Sequence, residues 1–238
     1  MADRLYFRQL LSGRDFAVDD PMARQMVNFV YLIGDRETGE TAVVDPAYGI
    51  DELLEIAGND GLRVTDALAT HYHFDHVGGT FAGYDVEGIA KLLERQPTRI
   101  HVNAAEAEWV TRSTGVSTGD LIGHQSGDTV TVGAVDIQLL HTPGHTPGSQ
   151  CFLVDKMLVS GDTLFLEGCG RTDLPGSDTE AMYESLQRLA ALPGDTLVCP
   201  GHRYSAAPAA PMVEVRDMNF VFKPKSKEQW LQMFGASR

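Results

Sequence analysis

The chain has 238 residues, 43% of them hydrophobic and 22% charged, which excludes a disordered or fibrous design and allows one large core. Its 33 acidic against 19 basic side chains leave a formal net charge of -14, which argues against nucleic acid or an anionic membrane surface as partner, since both demand a basic face. Cys151, Cys169 and Cys199 are too few and too widely spaced for a disulfide framework and read as buried or reduced bystanders.

In chain order, MADRLYFRQLLSGRDFAVDD scatters charges where an export signal would be apolar, and no later stretch is long and apolar enough to span a bilayer. A cytoplasmic location is expected. Asn28 to Gly34 and Thr41 to Asp45 read as strands joined in a hairpin by DRETGE. Ile50, Leu53, Leu54 and Ala57 fall at helical spacing, with Gly58 and Gly61 as a stop. Val64 to Thr70 is a strand that runs into THYHFDHVGG at 70–79.

Ile89, Leu92 and Leu93 mark a helix before Pro97, RIHV a strand, and NAAEAEWVTR a helix opened by an Asn103/Glu106 capping box. Hairpins follow at TVTV/VDIQLL and SQCFLV/KMLVS, then a helix from Thr179 to Leu192, a strand at TLVCP and a last helix, KEQWLQMF, opened by Ser226 and Gln229. Hairpins interspersed with helices fit two packed sheets better than a singly wound parallel sheet. One domain over 1–238 is expected, with a short helical tail from about 205.

The histidine cluster carries the chemistry. Residues i and i+2 of an extended segment share a face, their α-carbons roughly 6.5 to 7 Å apart, so His71 and His73 can converge on one ion. Asp75 and His76 follow where the strand gives out, and Gly78-Gly79 permits a tight turn. One segment cannot surround an ion, and distant candidates stand at strand ends: His145 in HTPGHTPGS, Asp162 in LVSGDTLF and His202 in LVCPGHRY. Seven such side chains exceed one tetrahedral ion and suit two metals about 3.5 to 4 Å apart with a shared carboxylate. Hydroxide held between them would be the nucleophile.

These motifs, T-H-x-H-x-D-H-x-G-G, H-T-P-G-H-T-P-G-S, S-G-D-T-L-F and P-G-H, resemble the metallo-β-lactamase superfamily, in order from about Asn28 to His202. FLEGCGRTDLPGSD at Phe165 to Asp178 is most similar to its glyoxalase II-like and persulfide-dioxygenase-like branches. The resemblance implies an α+β fold, an αββα sandwich of two mixed sheets flanked by helices, with the site at one edge between the sheets. In the glyoxalase II-like pattern His71, His73 and His145 take metal 1, Asp75, His76 and His202 take metal 2, and Asp162 bridges; Asp75 and Asp162 are the carboxylates assigned to catalysis. The implied reaction is hydrolysis of a thioester such as S-lactoylglutathione by metal-bound hydroxide.

The persulfide-dioxygenase pattern instead implies one iron(II) held by His71, His145 and Asp162, with the other four residues outside the first ligand shell. A lactonase or other hydrolase is a third reading. Imidazole and carboxylate ligands accept zinc, iron or manganese alike. The expected partner is a small molecule, a thiol conjugate, with Arg171 as candidate for a substrate carboxylate or for an ion pair with Asp173 or Asp178. His141 is expected to hydrogen-bond its loop, His101 and His124 belong to no partner motif and are read as structural, Trp109 is expected to sit in the core, and Tyr72 and Phe74 to face away from the metals and pack.

Overall fold

A computed structural model describes residues 4–235; residues 1–3 and 236–238 of the domain expected over 1–238 lie outside the described residues. The chain opens with β1 (Leu5–Leu11), followed by α1 (Pro21–Met26). Asp20 caps α1 by accepting the amides of Met22 and Ala23. The expected hairpin is β2 (Phe29–Asp35) and β3 (Glu40–Val44). Then come α2 (Ile50–Asn59), β4 (Arg63–Leu68), a single helical turn α3 (Phe74–Val77) and a small hairpin of β5 (Gly79–Phe81) and β6 (Tyr84–Val86).

Next are α4 (Ile89–Arg95), β7 (Arg99–Asn103), α5 (Ala107–Thr114) and β8 (Leu121–His124). The second half holds β9 (Thr129–Val132), β10 (Val135–His141), β11 (Gln150–Val154), β12 (Met157–Gly161), α6 (Thr179–Ala190), β13 (Leu197–Pro200), β14 (Ala210–Pro211), α7 (Met212–Met218) and α8 (Lys227–Phe234). One six-stranded sheet has the order β1-β2-β3-β4-β7-β8, the other β14-β13-β12-β11-β10-β9. Both are mixed: β3, β4, β7 and β8 run parallel, as do β12 and β13, and the remaining pairs are antiparallel.

Alternation along the strands builds four layers, because successive side chains leave opposite faces of a sheet. On β2, Phe29, Tyr31 and Ile33 enter the cluster between the sheets, where they meet Ile137, Phe152 and Val159. Val30 and Leu32 point the other way, toward Ile50, Leu53, Ile89 and Val110 of the helices. On the second sheet Cys151, Leu158 and Val198 face Met182, Leu186 and Trp230. Each large apolar side chain so buried contributes about 1.5–3 kcal/mol. The Tyr31 hydroxyl crosses the inner layer to donate to the Pro200 carbonyl, 2.6 Å away.

The segment read as a C-terminal tail supplies β14 to the second sheet and α7 and α8 to its outer layer, with Trp230 fully buried. The Asn103/Glu106 capping box does not form. Asn103 Oδ1 accepts the Ala105 amide and α5 starts at Ala107, while the Glu106 carboxylate turns inward to other donors. Among the described residues no helix is long and apolar enough to cross a membrane.

Candidate metal centre

Every candidate ligand stands just beyond the C-terminal end of a strand. His71 and His73 follow β4, Asp75 and His76 ride on α3, His145 follows β10, Asp162 follows β12 and His202 follows β13. Two glycines let these ends approach. Gly161 sits at φ +49° with Thr70 so close that a β-carbon would lie 2.7 Å from its Oγ1, and a β-carbon on Gly201 would lie 2.4 Å from Asp162 Oδ1. The backbone around Gly201 and His202 pairs with residues 27–29: the Phe29 amide donates to the Gly201 carbonyl at 2.8 Å and the Arg203 amide to the Val27 carbonyl at 3.0 Å.

All seven side chains converge. His73 Nδ1 lies 3.0 Å from both His71 Nε2 and His145 Nε2. His76 Nε2 lies 3.1 Å from His202 Nε2, and Asp75 Oδ2 is 3.5 Å from the latter. Asp162 spans the two sets, with Oδ1 3.4 Å from His76 Nε2 and Oδ2 3.4 Å from His202 Nε2 and 3.7 Å from His145 Nε2. The groupings His71/His73/His145, His71/His76/Asp162 and Asp75/His76/His202 each bring their ligand atoms within 4.8 Å of one another.

The outer nitrogens fix the tautomers. His145 Nδ1 donates to the Arg171 carbonyl at 2.8 Å, His202 Nδ1 to the Met26 carbonyl at 2.7 Å and His76 Nδ1 to Asp45 Oδ2 at 2.8 Å. Thr70 Oγ1 donates to Asp45 Oδ2 at 2.6 Å, so at 3.0 Å it accepts from His71 Nδ1. Each of these four imidazoles therefore turns its Nε2 inward, the nitrogen a metal ion would take. Ring nitrogens aimed at one another 3.0–3.1 Å apart call for a proton or a metal cation between them. Asp162 Oδ1 is buried with no hydrogen-bond partner among the described residues. This donor set fits divalent metal ions.

The electrostatics divide the centre in two. Burial, then the neighbouring imidazoles, keep the proton affinity of His71 well below its usual range, and burial with His145 pushes His73 down to about 4. At His76 burial acts in the same sense but is outweighed by Asp162, Asp75 and Asp45, which push it up to about 10. His202 is likewise raised against burial, chiefly by Asp162. Asp162, although buried, is held well below the carboxylate range by His202 and His76.

Three supporting residues carry no mark in the sequence motifs. Asp45 closes β3 in the left-handed region, at φ 54°, and binds the Thr70 amide at 2.7 Å as well as Thr70 Oγ1 and His76. Its signal was a carboxylate directly after the apolar run Ala42–Val44 that ends β3, since a buried charge must have partners. Asn28 Nδ2 donates to Asp75 Oδ2 at 3.2 Å. Glu106, buried, accepts from the Tyr72 amide at 2.9 Å and from the Gly148 amide and Thr146 Oγ1 at 2.6 Å each, tying the His71/His73 loop to the His145 loop.

Other expectations need correction. Tyr72 and Phe74 do not face away: both line the cavity that opens on the centre. Trp109 is half-buried rather than core, stacked on Tyr72 with ring centroids 5.0 Å apart. His101 and His124, which belong to no motif, pair with each other away from the centre. His101 Nδ1 meets His124 Nε2 at 2.9 Å, and its Nε2 meets the buried Asp66 at 2.8 Å, so the two form a separate polar group across β4, β7 and β8. His141 bonds the Pro147 carbonyl at 2.9 Å, as read. Arg171 pairs with Asp173 through two contacts of 2.9 Å while lining the cavity, and Asp178 caps α6 instead.

Comparison with known proteins agrees with this geometry. The family model described as Metallo-beta-lactamase superfamily matches residues 24–202. A hydroxyacylglutathione hydrolase of Xanthomonas campestris is 36% identical over 190 residues, which cover 80% of this chain and 67% of that protein. A Bacillus velezensis protein named as a probable polyketide biosynthesis zinc-dependent hydrolase, BaeB, is 31% identical over 206 residues, 86% of this chain and 85% of its own. The crystal structure of ETHE1 from Myxococcus xanthus superposes with a TM-score of 0.76 at 30% identity, covering 96% of this chain and 89% of that one. The chain therefore belongs to the metallo-beta-lactamase superfamily, by fold and as an enzyme.

Proposed function

We propose that the protein is a metal-dependent thioester hydrolase, similar in activity to its hydroxyacylglutathione hydrolase relatives. In this reading His71, His73 and His145 would hold one divalent ion and Asp75, His76 and His202 a second, with Asp162 placed to serve both. The observation that carries it is the position of Asp162, whose Oδ2 lies between His145 of the first set and His202 of the second while its Oδ1 faces His76 of the second. Two ions bound there would acidify water and polarise a thioester carbonyl.

The chain's own groups do the rest. Asp45 and the backbone carbonyls of Met26 and Arg171 orient the imidazoles, so that lone pairs, not N–H groups, face the centre. Tyr72, Phe74 and Phe165 wall the cavity beside it and exclude bulk water from the acyl carbon.

The similarity to ETHE1 favours a second reading, the persulfide dioxygenase, with one iron(II) on His71, His145 and Asp162. The two are separated by elemental analysis of protein purified without added metal, together with thioester turnover and oxygen uptake on a thiol persulfide. About two metals per chain, thioester hydrolysis and no oxygen uptake are expected. One iron with persulfide-dependent uptake overturns the hydrolase.

A further inference from the structure

We infer that the cavity beside the metal centre selects an apolar acyl group carried on an uncharged thiol, rather than a charged, net-anionic conjugate such as that of glutathione; as a statement about substrate this rests on the hydrolase reading above. The cavity has a volume of about 740 Å³ and reaches Asp75, His145, Asp162 and His202, within the size range of small-molecule sites. Its wall is aromatic. Phe74 stacks on Phe81 with centroids 4.3 Å apart and rings 3° from parallel, Phe165 meets Tyr204 edge to face at 5.0 Å, and Tyr204 stacks on the His202 ring at 4.8 Å.

Three of these rim residues stay half in solvent: Phe81 is 50% exposed, Tyr204 56% and Phe220 50%. Together they form an apolar rim that an entering chain would cover. Phe81 stands on the two-stranded β5-β6 hairpin, outside both large sheets, so its ring is not needed to complete their cores.

The charges point the same way. Among the described residues the one Lys or Arg on the cavity wall is Arg171, and Asp173 already engages its guanidinium twice at 2.9 Å. The remaining charged wall residue outside the centre is Glu167, an exposed carboxylate. A glutathionyl group, with two carboxylates and one ammonium, would meet Glu167 and a chain of net charge -14 with no unpaired cation on the cavity wall to receive it. An uncharged thiol meets no such cost. In the reaction, water oxygen bonds to the acyl carbon, the carbon–sulfur bond breaks with its electron pair on sulfur, and carboxylic acid and thiol leave, with no oxidant or reductant required.

The test uses the metal-loaded full chain and two matched series. The first is hydrolysis-inert β-keto thioethers of N-acetylcysteamine with methyl, propyl and pentyl ketones, and the pentyl ketone on glutathione, measured by titration calorimetry. Burial of each methylene corresponds to roughly threefold to fourfold in affinity, so Kd should tighten by at least about tenfold from methyl to pentyl, and the glutathione compound should bind more weakly than its N-acetylcysteamine counterpart. A flat series, or tighter binding of the glutathione compound, overturns the inference.

The second series is the corresponding thioesters, whose kcat/KM should rise in parallel. Absent hydrolysis with a sloped Kd series overturns the hydrolase reading and supports the selectivity of the cavity. Sustained hydrolysis with a flat Kd series does the reverse. Phe81→Ala should flatten the dependence on chain length, and Glu167→Lys should narrow the gap between the two thiol carriers; unchanged ratios in both variants count against the assignment.

Discussion

Asp162 is where the two halves of the centre meet, and its surroundings make it the most sensitive single side chain. Its Oδ1 is buried and lacks a donor among the described residues, and three imidazole nitrogens stand 3.4–3.7 Å from its carboxylate. Asp162→Ala should remove activity by more than the roughly 10- to 100-fold typical of groups behind the ligands, and lower bound metal per chain. Full turnover in that variant would contradict the assignment. Asp45 acts one step back, holding His76 directly and His71 through Thr70. Asn tolerates the left-handed backbone that Asp45 adopts, so Asp45→Asn tests the charge alone. Metal affinity, read by chelator competition, should fall about 10- to 100-fold, and an unchanged affinity would remove Asp45 from the site.

At the scale of elements, the ligand loops are held to each other as well as to their strands. Glu106 joins the loop after β4 to the loop after β10 through three donors. Glu106→Ala strands those donors and should cost about 2–4 kcal/mol, or roughly 5–15 °C in melting temperature for a chain of this size, with a larger KM or weaker metal retention. Glu106→Gln keeps one acceptor and should recover part of the loss. A melting curve for the alanine variant that overlays the parent would show that water replaces the carboxylate. The sequence marked Asn103 and Glu106 as a cap because the spacing is right, but the spacing is local and the donors that claim Glu106 are 34 to 42 residues away. The long, strongly periodic helices and the tight hairpins were legible. The strand β1 was not: only Tyr6, Leu10 and Leu11 are buried on it, and as an edge strand it pairs on one side alone, so its pattern is weak.

For the whole molecule, Asp35 fastens one sheet to the other. It sits at the end of β2, accepts from Arg4 Nη2 at 2.7 Å and from the Glu37 amide at 2.9 Å, and reaches across to the Ala134 amide in the β9-β10 turn at 2.8 Å. Arg4 first, and these amides after it, hold the carboxyl below its usual range despite burial. A depressed acid contributes stability that is present above its unfolded value of about 3.9 and lost as pH falls through the lower folded value. Asp35→Asn should therefore flatten the fall in melting temperature between about pH 5 and pH 2, and an unaltered acid limb would place that sensitivity elsewhere. The sequence by itself determined the alternation that makes four layers and the seven side chains able to bind metal, because periodicity and ligand chemistry are local properties. Only the tertiary structure decided which ring nitrogens face one another, that Asp45, Asn28 and Glu106 hold the candidate ligands and their loops, and that Tyr72 and Phe74 wall the cavity. These depend on contacts between segments far apart in the chain, which no short-range pattern encodes.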